Sequence, residues 1–323
     1  MKILIFEYIT GGGFNKRELP DALAKEGLLM LQALLDNFSK INDIELTVML
    51  DSRFNGCLTA ENIKIAIIKA EHDSHEKFAR LAKQCDAVWP IAPEFDGILL
   101  TLCRMVEPGT LLLTSPAAAV AITGNKFSTY QHLVRHHIAT VPTRLLNKAC
   151  YYPGEWIIKS IDGAGCSNSY LITNQHDFDA ASRLAGQFIV QPHLKGKKTS
   201  LSCLFKQGRA WLLSVNLQRF KIVNKQYQLV DIIVNHNPDR SLYQRLVDTI
   251  ACALPDLWGY AGIDLIETAE QILVLEINPR LTTSFAGIHA ALGINVAEQV
   301  LRLLSGQPDI KAVSNQHISI NTT

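Results

Sequence analysis

An α/β unit built on a parallel sheet, followed by α+β units with antiparallel hairpins, is the fold class this sequence predicts. Three observations lead there. Residues 1–115 alternate apolar strand-like runs with helix-spaced stretches, the pattern of a mostly parallel sheet covered on both faces. Beyond Trp156, strand-like runs follow one another through short polar or glycine turns, as in antiparallel sheets. The length, 323 residues, is too great for one compact core and suggests two or three domains.

In the N-terminal part, Lys2–Phe6, Leu46–Leu50, Ile63–Ile68, Ala87–Pro90 and Leu111–Leu113 are the expected strands. Leu23–Phe38, His75–Gln84 and Ile98–Met105 are the expected helices between them. Ligands of such sheets sit at strand carboxyl ends, here the loops Tyr8–Gly13 and Pro90–Phe95. Near Ser115-Pro116 a new unit starts. Ala117–Ile122 and Phe127–His137 are helical, with Thr123-Gly-Asn-Lys126 interrupting them. Trp156–Lys159 and Tyr170–Ile172 are strands around a small-residue loop, His176–Leu184 suits a helix, and Phe188–Val190 is extended. Leu201–Phe205, Ala210–Val215 and Gln228–Val234 continue as an antiparallel sheet, and Leu242–Leu254 is helical. Gly287–Leu304 reads as one closing helix, and the polar tail from Gln307 as frayed.

Hydrophobic residues make up 48% and charged residues 19%, and 31 basic against 30 acidic residues leave a net charge of +1. That balance argues against nucleic-acid or membrane partners. The seven cysteines are scattered without a C-x-x-C pair, which favours a reducing compartment over disulfides or zinc. No apolar run is long enough for a signal h-region or a membrane span, so a soluble cytoplasmic protein is expected.

The stretch Ala261–Arg280 carries the chemistry. Folded about Glu270, it sets Asp264 opposite Glu276, with Asn278 two residues on. Two carboxylates and an amide oxygen suit magnesium that also carries substrate phosphates. Strict alternation puts Ile272, Val274, Glu276 and Asn278 on one face, and Arg280 follows the stiff Pro279. Upstream, Lys159 ends an apolar strand before the loop Gly163–Ser167, whose backbone N–H groups could wrap a phosphate. Lys126 offers a second cation. The triple glycine Gly11–Gly13 lacks the spacing of a dinucleotide fingerprint and reads more readily as a sharp turn. Lys195, Lys197 and Lys198 read as a solvated face, and the pairs His72/His75 and His136/His137 as structural or exposed.

In their order along the chain, two lysines, a glycine loop, a short apolar linker and Asp264…Glu276-Ile-Asn-Pro-Arg280 resemble the ATP-grasp superfamily. That family binds its nucleotide between two α+β subdomains. The resemblance covers residues 116–305, and the first 115 match the α/β domain that precedes it. It implies an N-terminal pre-ATP-grasp domain over 1–115, subdomain A over 116–190, subdomain B over 191–306 and a tail over 307–323.

The resemblance also implies the roles. Lys126 and Lys159 are the phosphate lysines. Gly163, Ala164, Gly165, Cys166 and Ser167 form the flexible loop. Gln191, Pro192, His193 and Leu194 form the adenine linker. Asp264, Glu276 and Asn278 hold magnesium, with manganese as the alternative, and Arg280 acts with Lys159 on the transferred group. Two departures stand out: Gln191 where many members carry an acid, and Lys198 where a ribose-binding glutamate is usual. Gly196–Ser202, Asn216 with Gln218, Asn278–Ser284 and Phe6–Tyr8 are similar to a branch that includes the tyramine–glutamate ligase of methanofuran synthesis. An ATP-dependent ligase is therefore expected, activating a carboxylate as an acyl phosphate for attack by an amine. Glutamate and tyramine are the sharper expectation, and another amino-acid or peptide ligase is the alternative. A nucleotide-binding regulatory module is the third reading, disfavoured because no lysine or magnesium ligand is lost. Tyr8, Glu94, Asn216, Gln218, Thr282 and Thr283 are the candidates for substrate contacts. A homodimer is left open.

Overall fold

The computed structural model describes residues 1–59, 63–106, 109–163, 169–237 and 239–322. Its N-terminal strands are β1 (Lys2–Glu7), β2 (Glu45–Asp51), β3 (Ile63–Ile68), β4 (Ala87–Ile91) and β5 (Leu111–Leu112). They pair in parallel in the order β3-β2-β1-β4-β5. Helices α1 (Asp21–Phe38), α2 (Ser74–Ala82) and α3 (Ile98–Val106) connect them. Ile3, Leu4, Ile5 and Phe6 are all buried, because helices cover both faces of a central parallel strand. The loop after β1 turns tightly through Ile9–Gly13, with Gly12 at φ 105°. A Cβ on Gly12 would strike Ile68, and one on Gly11 would strike Phe6. The triple glycine thus packs onto the core, as its turn reading requires.

The second half begins with α4 (Ala117–Thr123) and α5 (Lys126–Arg135). A small antiparallel unit follows, of β6 (Arg144–Leu145), β7 (Trp156–Ser160), β8 (Ser169–Ile172) and β9 (Phe188–Pro192), with α6 (Gln175–Ala181). A larger one comprises β10 (Lys197–Lys206), β11 (Arg209–Val223), β12 (Gln226–Val234), β13 (Gly259–Glu267) and β14 (Ile272–Asn278), with α7 (Ser241–Ala253) against β11. Strand order is β14-β13-β10-β11-β12-β8-β7-β9-β6, and β12 meets β8 at a single pairing, Gln226 with Tyr170. Two sheets hinged at so narrow a seam leave a cleft between their inner faces.

Three expectations change. The closing helix is two, α8 (Phe285–Leu292) and α9 (Val296–Ser305), parted where Gly293 takes φ 71°. The tail is not frayed throughout: β15 (Ile318–Asn321) pairs antiparallel with β12. The alternation along β14 is broken by a bulge, since Asp264 pairs with Glu276 but Leu265 with Val274. Leu275 is the extra residue, so Val274 joins the core while Glu276 keeps to the cleft.

One core ties the N-terminal unit to the C-terminal helices, with Leu31, Leu34 and Leu35 of α1 in the same buried cluster as Ile288, Leu292 and Val300. The Asn295 amide also donates to the Asn37 carbonyl at 2.8 Å. No helix among the described residues is long and apolar enough to cross a membrane, and no disulfide joins the described cysteines.

Candidate active site

The hairpin β13–β14 and the strand β7 both line one open cleft. Asp264 stands opposite Glu276, as the turn position predicts. Asn125 caps α5 by accepting the Ser128 N–H at 2.9 Å, which sets Lys126 at the first position of the helix. The Lys126 ammonium lies 3.0 Å from Glu276 Oε2 and also donates to the Gly163 carbonyl. Lys159, on β7, reaches the same carboxylate oxygen at 3.7 Å. Both lysines therefore converge where the hairpin presents its acids.

The two acids differ in environment. Burial, then the neighbouring Glu276 carboxylate, pushes the Asp264 carboxyl well above the usual range. Burial acts to raise Glu276 as well, but the Lys126 and Lys159 ammonium groups outweigh it and hold Glu276 below its usual value. Among the described residues, Asp264 accepts from the amides Gln218 Nε2 at 2.9 Å and Asn278 Nδ2 at 3.2 Å, and its carboxyl shares a hydrogen bond with Glu276. Among the described residues no three His, Cys, Asp or Glu side chains converge, so a metal here would rely on two carboxylates and the Asn278 oxygen. That all-oxygen set fits a hard divalent cation.

Arg280 follows directly. Its Nε donates to Glu94 Oε1 at 2.9 Å and its Nη2 to Glu94 Oε2 at 2.8 Å, a bidentate pair between the two halves of the chain. Glu94 comes from the loop after β4, so the two expected residues meet, but as partners of one another. Thr282 and Thr283 line the cleft. Thr282 belongs to a hydroxyl network with Tyr260 and Ser284, at 3.1 and 3.0 Å, while Thr283 donates to Glu26.

At the other end, Gln191, Pro192, His193 and Leu194 line the cleft beside Ile157, Ile266 and Leu275. The Gln191 amide turns to Thr143 Oγ1 at 2.8 Å. The His193 ring lies between Glu155 and the Tyr227 hydroxyl, at 2.8 and 2.6 Å. Lys198 also lines the cleft, with its ammonium 3.4 Å from the Leu194 carbonyl. Of the glycine loop, Gly163 is at the site, while Ala164, Gly165, Cys166 and Ser167 lie outside the described residues.

Two substrate candidates stand elsewhere. Tyr8 is buried among Phe6, Phe14 and His75 in the N-terminal core, because the glycine turn that begins after it folds Gly13 back against its ring. Asn216 is fully buried, its amide held by Ser200, Ser202 and Ser214 and by the Asn235 N–H. Gln218, two residues on, does reach the cleft. A charged cleft residue with no advance notice is Glu26, which α1 brings in from the N-terminal unit. An acid on an amphipathic helix looks like any solvated face in sequence, and no signal marks it.

The ATP-grasp domain profile matches residues 123–284, and the pre-ATP-grasp domain profile residues 44–120. The chain belongs to the ATP-grasp family. Its N-terminal parallel sheet is the pre-ATP-grasp unit, and the cleft with the paired acids and two lysines lies within the ATP-grasp fold. The tyramine–L-glutamate ligase of Methanocaldococcus fervens is 24% identical over 99% of both chains. Its counterpart from Methanocaldococcus jannaschii is 25% identical over 88% of this chain and 84% of its own. A crystal structure of an ATP-grasp superfamily protein from Archaeoglobus fulgidus superposes with a TM-score of 0.75 at 25% identity, covering 99% of this chain and 92% of that one. With this family and these relatives, the ATP-grasp chain is an enzyme of the ADP-forming carboxylate–amine ligase class.

Proposed function

We propose that the protein joins the side-chain carboxylate of glutamate to tyramine or a related aromatic amine, with cleavage of ATP to ADP. The observation that carries this reading is the convergence of Lys126 and Lys159 on the Asp264–Glu276 pair, with Arg280 next in line. The substrates are suggested by the two relatives that match most of the chain.

In the first step a carboxylate oxygen bonds to the γ-phosphorus, the bond to the β-phosphate oxygen breaks, and ADP leaves. In the second, the amine nitrogen bonds to the acyl carbon, the carbon–oxygen bond to phosphate breaks, and the nitrogen sheds a proton. Phosphoryl transfer of this kind needs alignment and charge neutralisation more than covalent help. Lys126 and Lys159 exchange Glu276 for phosphate oxygens. Arg280 steadies charge on the transferred phosphoryl group. The backbone of residues 191–194 holds the adenine beside Ile157 and Ile266. Magnesium held by Asp264, Glu276 and Asn278 would supply further neutralisation of phosphate charge. Subdomain limits of 116–190 and 191–306 belong to the same proposal, with β9 of the small unit running across the boundary to Pro192, and ATP-consuming chemistry fits a cytoplasmic setting.

The test is an ADP-release screen of amino acids crossed with amines, with the product identified by mass. Formation of the glutamate–tyramine amide is the expected result. A product from another acid–amine pair would keep the ligase and replace its substrates, and ATP consumption with no pair would overturn the reading.

A further inference from the structure

Glu26 stands apart from the acids that the proposed reaction already uses. It projects from α1 into the cleft, and its Oε1 accepts the Thr283 hydroxyl. Among the described residues, no hydrogen bond is donated to its other oxygen. The neighbouring acids are committed. Glu94 is paired with Arg280, and Glu7 accepts the N–H groups of Ile9 and Thr10 and the Thr10 hydroxyl. Glu26 lines the same cleft as Arg280 and Thr283, within electrostatic reach of the Arg280 guanidinium.

The placement is rigid. Helix α1 packs on α8 and α9, and Asn37 at its end holds Asn295 and the Ala297 N–H. Thr283 fixes the carboxylate in orientation. Among the described residues that line the cleft, Glu26 is the one acid outside the proposed magnesium set, and the nearby Arg280 guanidinium is already paired with Glu94. A carboxylate so held, half-buried and with an acceptor oxygen to spare, recognises a group that donates hydrogen bonds and carries positive charge.

We propose that Glu26 binds the primary ammonium group of a substrate. This rests on the ligase reading above. The same chemistry has two sources, the α-ammonium of an amino-acid donor and the incoming amine before it sheds its proton, and substrate substitution separates them. Glutarate in place of L-glutamate removes the first. Hydroxylamine in place of tyramine, being largely uncharged near neutral pH, removes the second.

The experiment measures KM by ADP release for wild type, Glu26→Gln and Glu26→Asp. Loss of one charge-assisted hydrogen bond raises the KM of one ammonium-bearing substrate about 10- to 100-fold in Glu26→Gln. Glu26→Asp recovers most of it, and the substrate that responds identifies the source. KM values within about twofold of wild type for both substrates overturn the proposal. So does an equal loss with glutarate and hydroxylamine together, which marks a structural role. Calorimetric binding of L-glutamate and of tyramine to wild type and Glu26→Gln is read without turnover. Binding that depends on Glu26 in a protein that forms no amide would retain the site and reject the reaction. Equal binding to both proteins would reject the site.

Discussion

Removing the Glu94 carboxylate leaves the Arg280 guanidinium buried without its counter-ion. The two side chains are 5% and 12% exposed and share two hydrogen bonds at 2.8 and 2.9 Å. With charge centres about 4 Å apart and an effective dielectric of about 20, their attraction is about 4 kcal/mol. Breaking such a pair by deleting one partner typically costs about 3–5 kcal/mol, because the remaining charge stays desolvated. The Leu281 carbonyl, 3.1 Å from Nη1, returns only part of this. Glu94→Ala should therefore lose about 4 kcal/mol, which at an m-value of about 3 kcal/mol/M lowers the urea midpoint by about 1.3 M. The double variant Glu94→Ala/Arg280→Met carries no orphaned charge and should regain more than half of that loss. Equilibrium urea unfolding followed by near-UV circular dichroism is the assay. A midpoint for Glu94→Ala within about 0.3 M of wild type at unchanged m would refute the account of the pair as a buried cross-domain link.

Asp264→Ala and Glu276→Ala should each lower magnesium-dependent ADP release by roughly 100- to 1,000-fold, and wild-type-like turnover in either would sink the metal assignment. Glu7 is buried, which pushes its carboxyl up to about 7 from 4.5 against the lowering effect of the Thr10 hydrogen bonds. Its folded state therefore holds a proton that the unfolded state has lost, so stability falls as pH rises from about 4.5 to 7, by about 3 kcal/mol in all, and then levels. Thermal midpoints at pH 5 and pH 7.5 should show Glu7→Gln gaining on wild type across that window; a constant difference would remove Glu7 as the cause. Asn216→Ala should cost about 1–3 kcal/mol in stability by stranding buried partners, with the KM for each substrate unchanged, and a selective rise in one KM would return Asn216 to the substrate contacts.

The parallel sheet was legible because its strands are short, mostly apolar runs that alternate for the most part with helix-spaced segments. Antiparallel strands that line the cleft were legible only in part. β11 extends to Val223 and β10 starts at Lys197, well beyond the apolar cores from which they were read. Their outer halves face the cleft or solvent and carry Lys, Gln and Arg, residues that also mark loops. β15 escaped for the opposite reason. Four residues in a polar tail have no periodicity to read, and their order comes from the open edge of β12. The break at Gly293 illustrates a third limit, since apolar spacing continues through it and only the backbone reverses.

The site divides in the same way. Its phosphate end is local: a strand end, a helix start and a hairpin each carry their polar group next to a readable apolar run. Asp264 and Glu276 could be set opposite one another from the turn alone, although the bulge at Leu275 moved Val274 to the other face without disturbing that pairing. Its other end is assembled from distant parts. Glu94 comes from a loop of the parallel sheet, Glu26 from a helix more than two hundred residues before Thr283, and Arg280 from beyond the hairpin. What brings them together is the shared core of α1, α8 and α9, where long-range packing leaves no pattern in either partner's sequence. Tyr8 and Asn216 show the converse, polar groups at suggestive positions that the same packing turns inward. The proposed reading therefore places substrate choice in the contact between the N-terminal unit and the loop after Arg280. Exchanging residues there should alter which substrates are taken while leaving the phosphate end intact.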